Sequence, residues 1–341
     1  MTDIRDYSLE ELEGVLEQWQ MPLYHAKQVF SWIYQKGVSS FDKMTNLSVA
    51  LRNRLKEKFT FTRLELVKLR ESGDGTKKFI FRLGCGNFIE SVLIPAQGRY
   101  TVCVSSQVGC KYGCRFCASG LGGFKRNLET GEILTQLLAI NYQLKNERAS
   151  HVVFMGTGEP LDNYDNVIKA LRIINAKEGL RIGARRITIS TSGVIPGIER
   201  LAKEDLQIEL SVSLHASDNA TRAQLMPINK QYPLQELIAA CKKYALETKR
   251  QVTFEYVLIR EVNCSDKSAQ DLVKLLEGWN AKVNLLVYNP VKELSLSAPH
   301  QREAVKFRHI LEKGGLIVTL RKSRGQDIEG ACGQLRVKYL K

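Results

Sequence analysis

The chain has 341 residues, 44% apolar and 25% charged, proportions that match an ordinary globular protein with one large domain and an appendage. Neither a secretory signal at the amino terminus nor an apolar stretch long enough to span a bilayer is present, so we expect a cytoplasmic protein with reduced thiols and no membrane association. The net charge of +14 favours a polyanionic partner, with nucleic acid as the leading candidate, whereas a solvated basic surface is the alternative.

Residues 1–62 form a predicted helical accessory domain. Ser8 and Glu11 have the spacing of a capping box that opens a first helix. A second helix is predicted to end at Gly37, because glycine is the usual residue after a helix carboxyl terminus. A third, over residues 47–59, carries basic residues that either contact RNA or form a solvated helix face. These basic residues are Arg52, Arg54, Lys56 and Lys58.

Residues 63–99 are predicted to be a β-rich connector, in which strand-like segments 78–83 and 88–94 flank a hairpin turn at 84–87. From residue 100 onward, strand-like segments alternate with helical ones, a pattern that predicts parallel β/α units. The strand-like segments followed by a helical pattern are 101–105, 152–155, 186–191, 208–214, 252–258 and 283–287.

This alternation predicts an α/β protein whose main domain, residues 100–321, is an open (partial) parallel β/α barrel of six units. A complete barrel needs two more units than the sequence supplies, and residues 316–320 are interpreted as an additional final strand. Residues 322–341 follow as a carboxyl-terminal segment. In such barrels the site lies at the carboxyl ends of the strands.

Three cysteines, Cys110, Cys114 and Cys117, are the most informative residues of the chain, because their C-x3-C-x2-C spacing supplies three thiolates from one short loop. A cubane cluster has four irons, so three protein thiolates leave one iron free to bind a small molecule. The spacing is that of the radical S-adenosylmethionine (SAM) superfamily and predicts a [4Fe-4S] cluster. A zinc knuckle with Cys103 or His151 as the fourth ligand is the alternative.

Polar or glycine-rich sequences follow other predicted strands, and we expect them to meet the cysteine loop at one end of the barrel. Each alone is often only a turn, but their convergence predicts a pocket for a SAM-sized ligand. Glu159, Ser190 and Asn289 offer hydrogen bonds to ammonium, carboxylate and ribose groups. The sequences concerned are residues 158–160, 190–193, 213–215 and 288–290.

With these segments in view, the chain resembles the radical SAM ribosomal-RNA adenine methyltransferases, the RlmN family, and their antibiotic-resistance relative Cfr. The resemblance covers essentially the full length and rests on seven motifs in order. They are VSSQVGC at 104–110, GGFKRNL at 122–128, GEPL at 158–161, STSGVIP at 190–196, SLHA at 213–216, LMPIN at 225–229 and GQDIEGACGQL at 325–335.

The resemblance implies that Cys332 is a methyl carrier. One SAM methylates Cys332, and a second SAM on the open iron is cleaved to a 5′-deoxyadenosyl radical that takes hydrogen from this methyl group. The carbon radical adds to C2 of adenine, and Cys103 then attacks the sulfur of Cys332, so that a transient disulfide releases the base. The family's proton acceptor aligns with Glu90, which on sequence alone is a strand carboxylate that faces solvent.

The resemblance also assigns the SAM contacts and the regiochemistry. Pro160 and Val108 look like RlmN, whereas Cfr-like sequences carry Ala and Cys there, so C2 methylation is favoured and Cfr-like C8 methylation of the same adenine is the alternative. The implied SAM-binding residues are Gly158, Glu159, Ser190, Ser213, Leu214, His215 and Asn289.

The implied substrates are position 2503 of 23S rRNA and position 37 of some tRNAs, with two SAM molecules per turnover. The implied electron donor is a flavodoxin-type or other low-potential protein, and the chain is expected to act as a monomer. A remote alternative is a non-enzymatic iron-sulfur sensor that binds RNA. Such a sensor would not need Cys103 or Cys332.

Overall fold

The computed structural model describes residues 1–144 and 147–336, so residues 337–341 of the predicted carboxyl-terminal segment lie outside the described residues. The amino-terminal elements are β1 (Thr2–Asp3), α1 (Leu9–Gln18), α2 (Tyr24–Phe30), α3 (Val49–Lys58) and β2 (Phe59–Thr60). The predicted capping box is confirmed, because the Ser8 hydroxyl accepts a hydrogen bond from the Glu11 amide at 3.1 Å and the Ser8 amide donates to the Glu11 carboxylate at 2.6 Å. A π-helical turn, Ser31–Gln35, continues α2, and Gly37, with φ of +67°, lies just beyond this turn.

The basic residues of α3 are engaged within the helical domain. The guanidinium of Arg54 lies over the Trp19 ring, 4.6 Å from its centroid, and Lys58 approaches the same ring at 6.0 Å. Arg52 donates a hydrogen bond to the Asp42 carbonyl at 2.8 Å. Cation–ring contacts of this kind leave the charge near the surface while the stem covers apolar area.

The predicted hairpin is confirmed, and its strands belong to the main sheet. Strands β3 (Glu65–Glu71), β4 (Lys77–Arg82) and β5 (Phe88–Ala96) pair antiparallel in sequence order. β5 in turn pairs antiparallel with β6 (Arg99–Cys103). The β-rich segment therefore extends one edge of the sheet that carries the site.

After β6, the chain forms a small antiparallel ribbon and then alternates strands with helices. The ribbon consists of β7 (Gln107–Gly109) and β8 (Phe124–Asn127) and encloses the cysteine loop. The following elements are α4 (Thr130–Gln143), β9 (His151–Phe154), α5 (Tyr164–Asn175), β10 (Ile187–Thr191), α6 (Ile195–Leu201), β11 (Glu209–Ser213), α7 (Asn219–Leu225), α8 (Leu234–Thr248), β12 (Val252–Leu258), α9 (Asp266–Leu275), β13 (Lys282–Val287), α10 (Gln301–Lys313) and β14 (Ile317–Arg321).

The main sheet has the order β14-β13-β12-β11-β10-β9-β6-β5-β4-β3, and all pairings from β6 to β14 are parallel. The two faces of the parallel part differ sharply in polarity. The face covered by helices carries buried apolar side chains such as Val152, Ile189 and Phe254. The opposite face, here called the inner face, carries a polar row that the register aligns. This row is Ser190, Ser211, Ser213, Glu255 and Asn284.

The helical domain docks on the helix layer of the main domain through polar contacts. The Asp6 carboxylate accepts a hydrogen bond from the Gly131 amide at the amino end of α4, at 2.7 Å. Lys169 of α5 donates to the Glu11 carboxylate at 2.8 Å. No helix in the described part of the chain is both long and apolar enough to cross a membrane.

Candidate active site

The cysteine loop, residues 110–123, is held shut by close backbone contacts. Gly109 has φ of +76°, and a Cβ there would lie 1.8 Å from the carbonyl oxygen of Gly123. The Cys110 amide donates a hydrogen bond to that same carbonyl at 3.2 Å. Only glycine tolerates both the backbone conformation and the contact. These contacts close the loop, called the cluster loop below, at its two ends.

The chemistry of the donor set fits an iron-sulfur cluster. Cys110, Cys114 and Cys117 are free thiols that line one cavity at the carboxyl ends of the parallel strands. Burial raises the pKa of Cys110 to about 12, and burial together with the other two cysteines raises the pKa of Cys114 well above its ordinary value. Three thiolates that line one cavity therefore require a cationic centre, and a thiolate-ligated iron-sulfur cluster supplies one.

The zinc alternative is wrong, because neither Cys103 nor His151 is placed to be the fourth ligand. His151 begins β9, at the opposite end of the strands from the cluster loop, and its Nδ1 pairs with the Ser150 hydroxyl at 3.0 Å. Cys103 packs against Val92 and Leu335. Within residues 1–144 and 147–336, no three His, Cys, Asp or Glu side chains are grouped closely enough to hold a single metal ion.

Glu159 is fixed at the carboxyl end of β9. One carboxylate oxygen accepts hydrogen bonds from the Ser192 amide and hydroxyl at 2.7 and 2.8 Å, and the other accepts from the Leu161 amide at 3.0 Å. Burial raises its pKa and these donors oppose the rise. Gly158 before it has φ of +109°, and a Cβ there would lie 2.5 Å from the Gln107 side chain. The carboxylate thus has one orientation at the cavity wall.

The other predicted SAM residues reach the cavity in different ways. Ser190 and Ser213 line it from β10 and β11. His215 also lines it, and its Nδ1 accepts a hydrogen bond from the Val257 amide at 3.0 Å. Burial lowers the pKa of His215 to about 3, so the ring is neutral. The side chain of Leu214 is fully buried in the apolar core and does not line the cavity.

Asn289 joins the predicted SAM region to the carboxyl-terminal segment. Its Nδ2 donates a hydrogen bond to the Cys332 carbonyl at 3.0 Å, and its Oδ1 accepts one from Gln326 at 2.6 Å. The cluster loop holds the same segment, because the Ala118 amide donates to the Gly333 carbonyl at 2.7 Å. We call residues 325–335 the carrier segment. The side chain of Cys332 is exposed in the cavity that the three cluster-loop cysteines line.

Cys103 lies beside this cavity rather than in its wall. It is buried at the end of β6, beneath Leu335 of the carrier segment. Burial raises its pKa, and the neighbouring Cys332 adds to the rise. Although the surface of Cys332 is open to the cavity, the surrounding cavity walls desolvate its thiol and raise its pKa, and Arg321 opposes the rise. The structure therefore brings together Cys103 and Cys332, the first and the last of the predicted site cysteines along the chain.

Glu90 is not the solvent-facing carboxylate that strand alternation alone predicts. Its side chain is only 1% exposed and pairs with Lys78 Nζ at 2.7 Å. Val92 is in register with both Lys78 and Cys103, so Glu90, two residues from Val92, is on the same face of the sheet as Cys103. The alternation argument fails because the carrier segment covers this face, as the packing of Leu335 on Cys103 shows.

Sequence reasoning missed Glu255 in the middle of β12. It lines the cavity, and its Oε1 accepts hydrogen bonds from the Ser211 hydroxyl and the Asn284 amide group, both at 3.1 Å. Burial raises its pKa against the opposing charge of Arg321. A carboxylate inside an otherwise apolar strand is a signal that could have found it. It makes the floor of the cavity polar.

Two family models and several curated proteins match this chain. The family model described as "Radical SAM superfamily" matches residues 104–276, and that described as "Ribosomal RNA large subunit methyltransferase N-terminal domain" matches residues 2–61. A Dictyoglomus turgidum protein named "Probable dual-specificity RNA methyltransferase RlmN" is 49% identical over 344 residues, which cover 100% of this chain and 98% of that protein. This chain belongs to the RlmN family. It is a radical SAM enzyme, and that superfamily uses a [4Fe-4S] cluster and SAM.

Two further comparisons agree with membership of the RlmN family. The "Dual-specificity RNA methyltransferase RlmN" of Syntrophus aciditrophicus is 44% identical, with 99% of this chain and 97% of that protein covered. The crystal structure of a radical SAM methyltransferase from Sphaerobacter thermophilus has a TM-score of 0.94 and 44% identity over 98% of this chain and 99% of that one. The Cfr alternative is not favoured, because these curated relatives carry the RlmN name.

Proposed function

We propose that this protein methylates C2 of an adenine in RNA through a methyl group carried on Cys332. The observation that carries the proposal is the exposure of Cys332 in the cavity lined by the cluster-loop cysteines. A thiol at that position is able to accept a methyl group from SAM and then keep the methyl carbon beside the site of radical formation.

A radical route is required because C2 of adenine is an electron-poor carbon that does not accept a methyl cation directly. When bound, the cluster and SAM supply a hydrogen-abstracting radical in the cavity. Cys110, Cys114 and Cys117 would hold the cluster. Gly158, Glu159, Ser190, Ser213, His215, Asn289 and the backbone of Leu214 would orient SAM. The neutral ring of His215 keeps an additional charge out of the SAM pocket.

Release of the product needs a second thiol and a base, which we assign to Cys103 and Glu90. The Cys103 thiolate attacks the sulfur of Cys332, the S–S bond forms, and the bond from that sulfur to the base-linked carbon breaks. Before this step the radical adduct has to lose one electron, for which the cluster would be the acceptor when bound, and C2 loses its proton to the Glu90 carboxylate. The bonding pair of the broken bond then moves onto the released carbon, which takes up a proton. The burial of Cys103 beneath Leu335 supports this assignment, because the thiol is shielded from water and lies beside the carrier segment.

The substrate assignment rests on charge and on the relatives. We propose 23S rRNA, at position 2503, as the main substrate and position 37 of some tRNAs as a second one. The net charge of +14 suits a polyanion, and an adenine in a loop can be unstacked to reach a buried site. Low-potential electrons would come from a flavodoxin-type donor, and the enzyme would act as a cytoplasmic monomer.

The decisive experiment is anaerobic reconstitution with iron, sulfide, SAM and a reductant, followed by mass spectrometry of digested 23S rRNA and tRNA. We expect 2-methyladenosine with the wild type and none with Cys332→Ala. Cys103→Ala should accumulate an RNA–protein crosslink, because the adduct cannot be released. Appearance of 8-methyladenosine would favour Cfr-like chemistry. Absence of any methyladenosine from both RNAs would favour a non-enzymatic sensor.

A further inference from the structure

The buried ion pair between Lys78 and Glu90 is the strongest polar feature that the proposed mechanism leaves unexplained. The side chains are 2% and 1% exposed, and Lys78 Nζ lies 2.7 Å from Glu90 Oε1. Burying two charges costs several kcal/mol per ion before their attraction offsets it. A surface ion pair or two apolar side chains would stabilise the pairing of β4 with β5 without the cost of burying charge. The arrangement therefore calls for a role beyond stability.

Lys78 also contacts the carrier segment. Its Nζ donates a hydrogen bond to the Glu329 carbonyl at 2.9 Å, although the two residues are 251 positions apart in the sequence. Glu329 lies three residues before Cys332. One ammonium group thus touches both the carboxylate assigned as the base and the backbone that presents the methyl-carrying sulfur.

The turn between β3 and β4 fastens the start of the same segment. The Gly325 amide donates to the Asp74 carboxylate at 3.1 Å, and the Ser72 hydroxyl donates to the Asp327 carboxylate at 2.6 Å. Gly325 has φ of +66°, and a Cβ there would lie 2.8 Å from the Thr76 side chain. The β3–β4 hairpin therefore contacts the carrier segment at several points. Among these contacts, Lys78 also pairs with Glu90.

The Glu90 carboxylate keeps its capacity to take a proton. Apart from the ion pair with Lys78, neither of its oxygens has a hydrogen-bond partner among the described residues. Carboxylates that accept several backbone amide hydrogen bonds are weak bases, and Glu90 has none of them. The charged groups facing it are Lys78 from β4, Arg70 from β3 and Glu329 from the carrier segment.

We propose that Lys78 is a positioning residue that keeps Glu90 ionised and sets its place relative to Cys332 through the Glu329 carbonyl. This inference rests on the proposed function, because it assumes that Glu90 takes the C2 proton. Lys78 itself exchanges no proton with the substrate. The loading of Cys332 with a methyl group needs neither Glu90 nor the RNA, and Asn289 and the β3–β4 turn still hold the carrier segment when Lys78 is replaced. Lys78 should therefore matter for the adenine step and not for the loading step.

The test compares Lys78→Met with Lys78→Arg and with Lys77→Met, a matched control on the same strand whose more exposed side chain pairs with Glu71. Protein mass spectrometry measures methylation of Cys332, and single-turnover assays measure 2-methyladenosine as a function of pH. We expect Lys78→Met to load Cys332 normally but to form product about 100-fold more slowly. Lys78→Arg should restore most of the rate, and Lys77→Met should match the wild type.

The pH profile separates positioning from a general loss of structure. Burial raises the pKa of Glu90 and Lys78 opposes this rise. Without the ammonium group the pKa rises further, so Glu90 becomes protonated at a higher pH as the pH is lowered. The acidic limb of the product-formation profile should therefore move up by about one pH unit in Lys78→Met and return in Lys78→Arg. An equal loss of loading and product formation, or an unmoved limb, overturns the inference.

A double variant covers the case in which Lys78→Met fails to fold because it strands a buried charge. Lys78→Met combined with Glu90→Gln leaves no unpaired charge, and we expect it to react within a few-fold of Glu90→Gln alone. A further 100-fold loss would contradict action through Glu90. The proposed function and this inference fail in different ways. A wild-type enzyme that makes no methyladenosine refutes the proposed function. Wild-type product formation by Lys78→Met refutes only this inference.

Discussion

Asn289 Nδ2 donates a hydrogen bond to the Cys332 carbonyl at 3.0 Å, so the residue predicted to bind SAM also holds the proposed methyl carrier. Its Oδ1 is occupied by Gln326, which belongs to the same carrier segment. Each end of the amide therefore contacts the segment, and the second Nδ2 hydrogen and the second Oδ1 lone pair are left for a ligand in the cavity. The cofactor pocket and the carrier segment share this side chain as a common wall.

Asn289→Ala should slow methylation of Cys332 by about 10-fold, because the loss of one hydrogen bond lets the sulfur drift from its position. Protein mass spectrometry after timed incubation with SAM measures this step without RNA. Asn280→Ala removes an exposed asparagine whose side-chain oxygen accepts a hydrogen bond from Gln251 at 3.0 Å, and it should load at the wild-type rate. Equal loading by all three proteins would show that the bond does not position Cys332.

Cys114→Ser should abolish cluster assembly, since serine is a poor ligand for iron and the remaining two thiolates cannot retain the cubane. Iron analysis and visible absorption after anaerobic reconstitution check this. Cys85→Ser is the matched control, because Cys85 is an exposed thiol that contacts Arg126 outside the triad. Full iron content in Cys114→Ser, or loss of iron in Cys85→Ser, would contradict the assignment of the three ligands.

Much of the fold and the cluster site could be predicted because their signals are local. Strand–helix alternation, the turn at 84–87 and the three closely spaced cysteines each lie within a few residues of one another. The environment of Glu90 could not be predicted in this way. Its burial depends on the carrier segment, and one contact of that cover joins residues 251 positions apart. Alternation along β5 contains no information about such a cover.

The positions of Cys103 and Cys332 could likewise not be predicted from local signals in the sequence. The family resemblance singled out Cys103 and Cys332, but their proximity depends on how residues 325–335 cross the end of the sheet. That path is set by contacts to three separate parts of the chain, namely the β3–β4 turn, the cluster loop and Asn289. The role of Glu255 depends in the same way on Ser211 and Asn284, which come from the two neighbouring strands.

The acidic group that docks the helical domain predicts a pH-dependent stability. Burial raises the pKa of Asp6 to about 6, and nearby Asp3, Glu129 and Glu132 add to the rise. A carboxyl group whose folded pKa exceeds its unfolded value stabilises the fold when protonated, and this contribution is lost as pH rises from about 4 to about 6. At neutral pH the ionised Asp6 therefore destabilises the fold.

Asp6→Asn should raise the free energy of unfolding at pH 7.5 by about 1 kcal/mol, a value reduced for the partial exposure of the side chain. The asparagine oxygen can still accept the hydrogen bond from the Gly131 amide. Urea unfolding at pH 7.5 and pH 5 measures the difference, which should shrink at the lower pH. Asp165→Asn, at an exposed surface carboxylate, should give no such gain. A difference that is the same at both pH values would exclude titration of Asp6 as its cause.

Gly158→Ala should weaken SAM binding by at least about 10-fold. The φ of +109° at this position is strained for any residue with a Cβ, and the added carbon would lie 2.7 Å from the Gln107 amide nitrogen. Gln107 accepts the hydrogen bond that fixes the Glu159 backbone at 2.8 Å, so relief of the clash displaces the carboxylate assigned to SAM. Gly183→Ala is the matched control, because its Cβ would meet no atom within 4 Å. Calorimetric titration of the reconstituted enzymes with SAM measures both, and an unchanged affinity in Gly158→Ala would remove the cavity wall at β9 from the proposed SAM site.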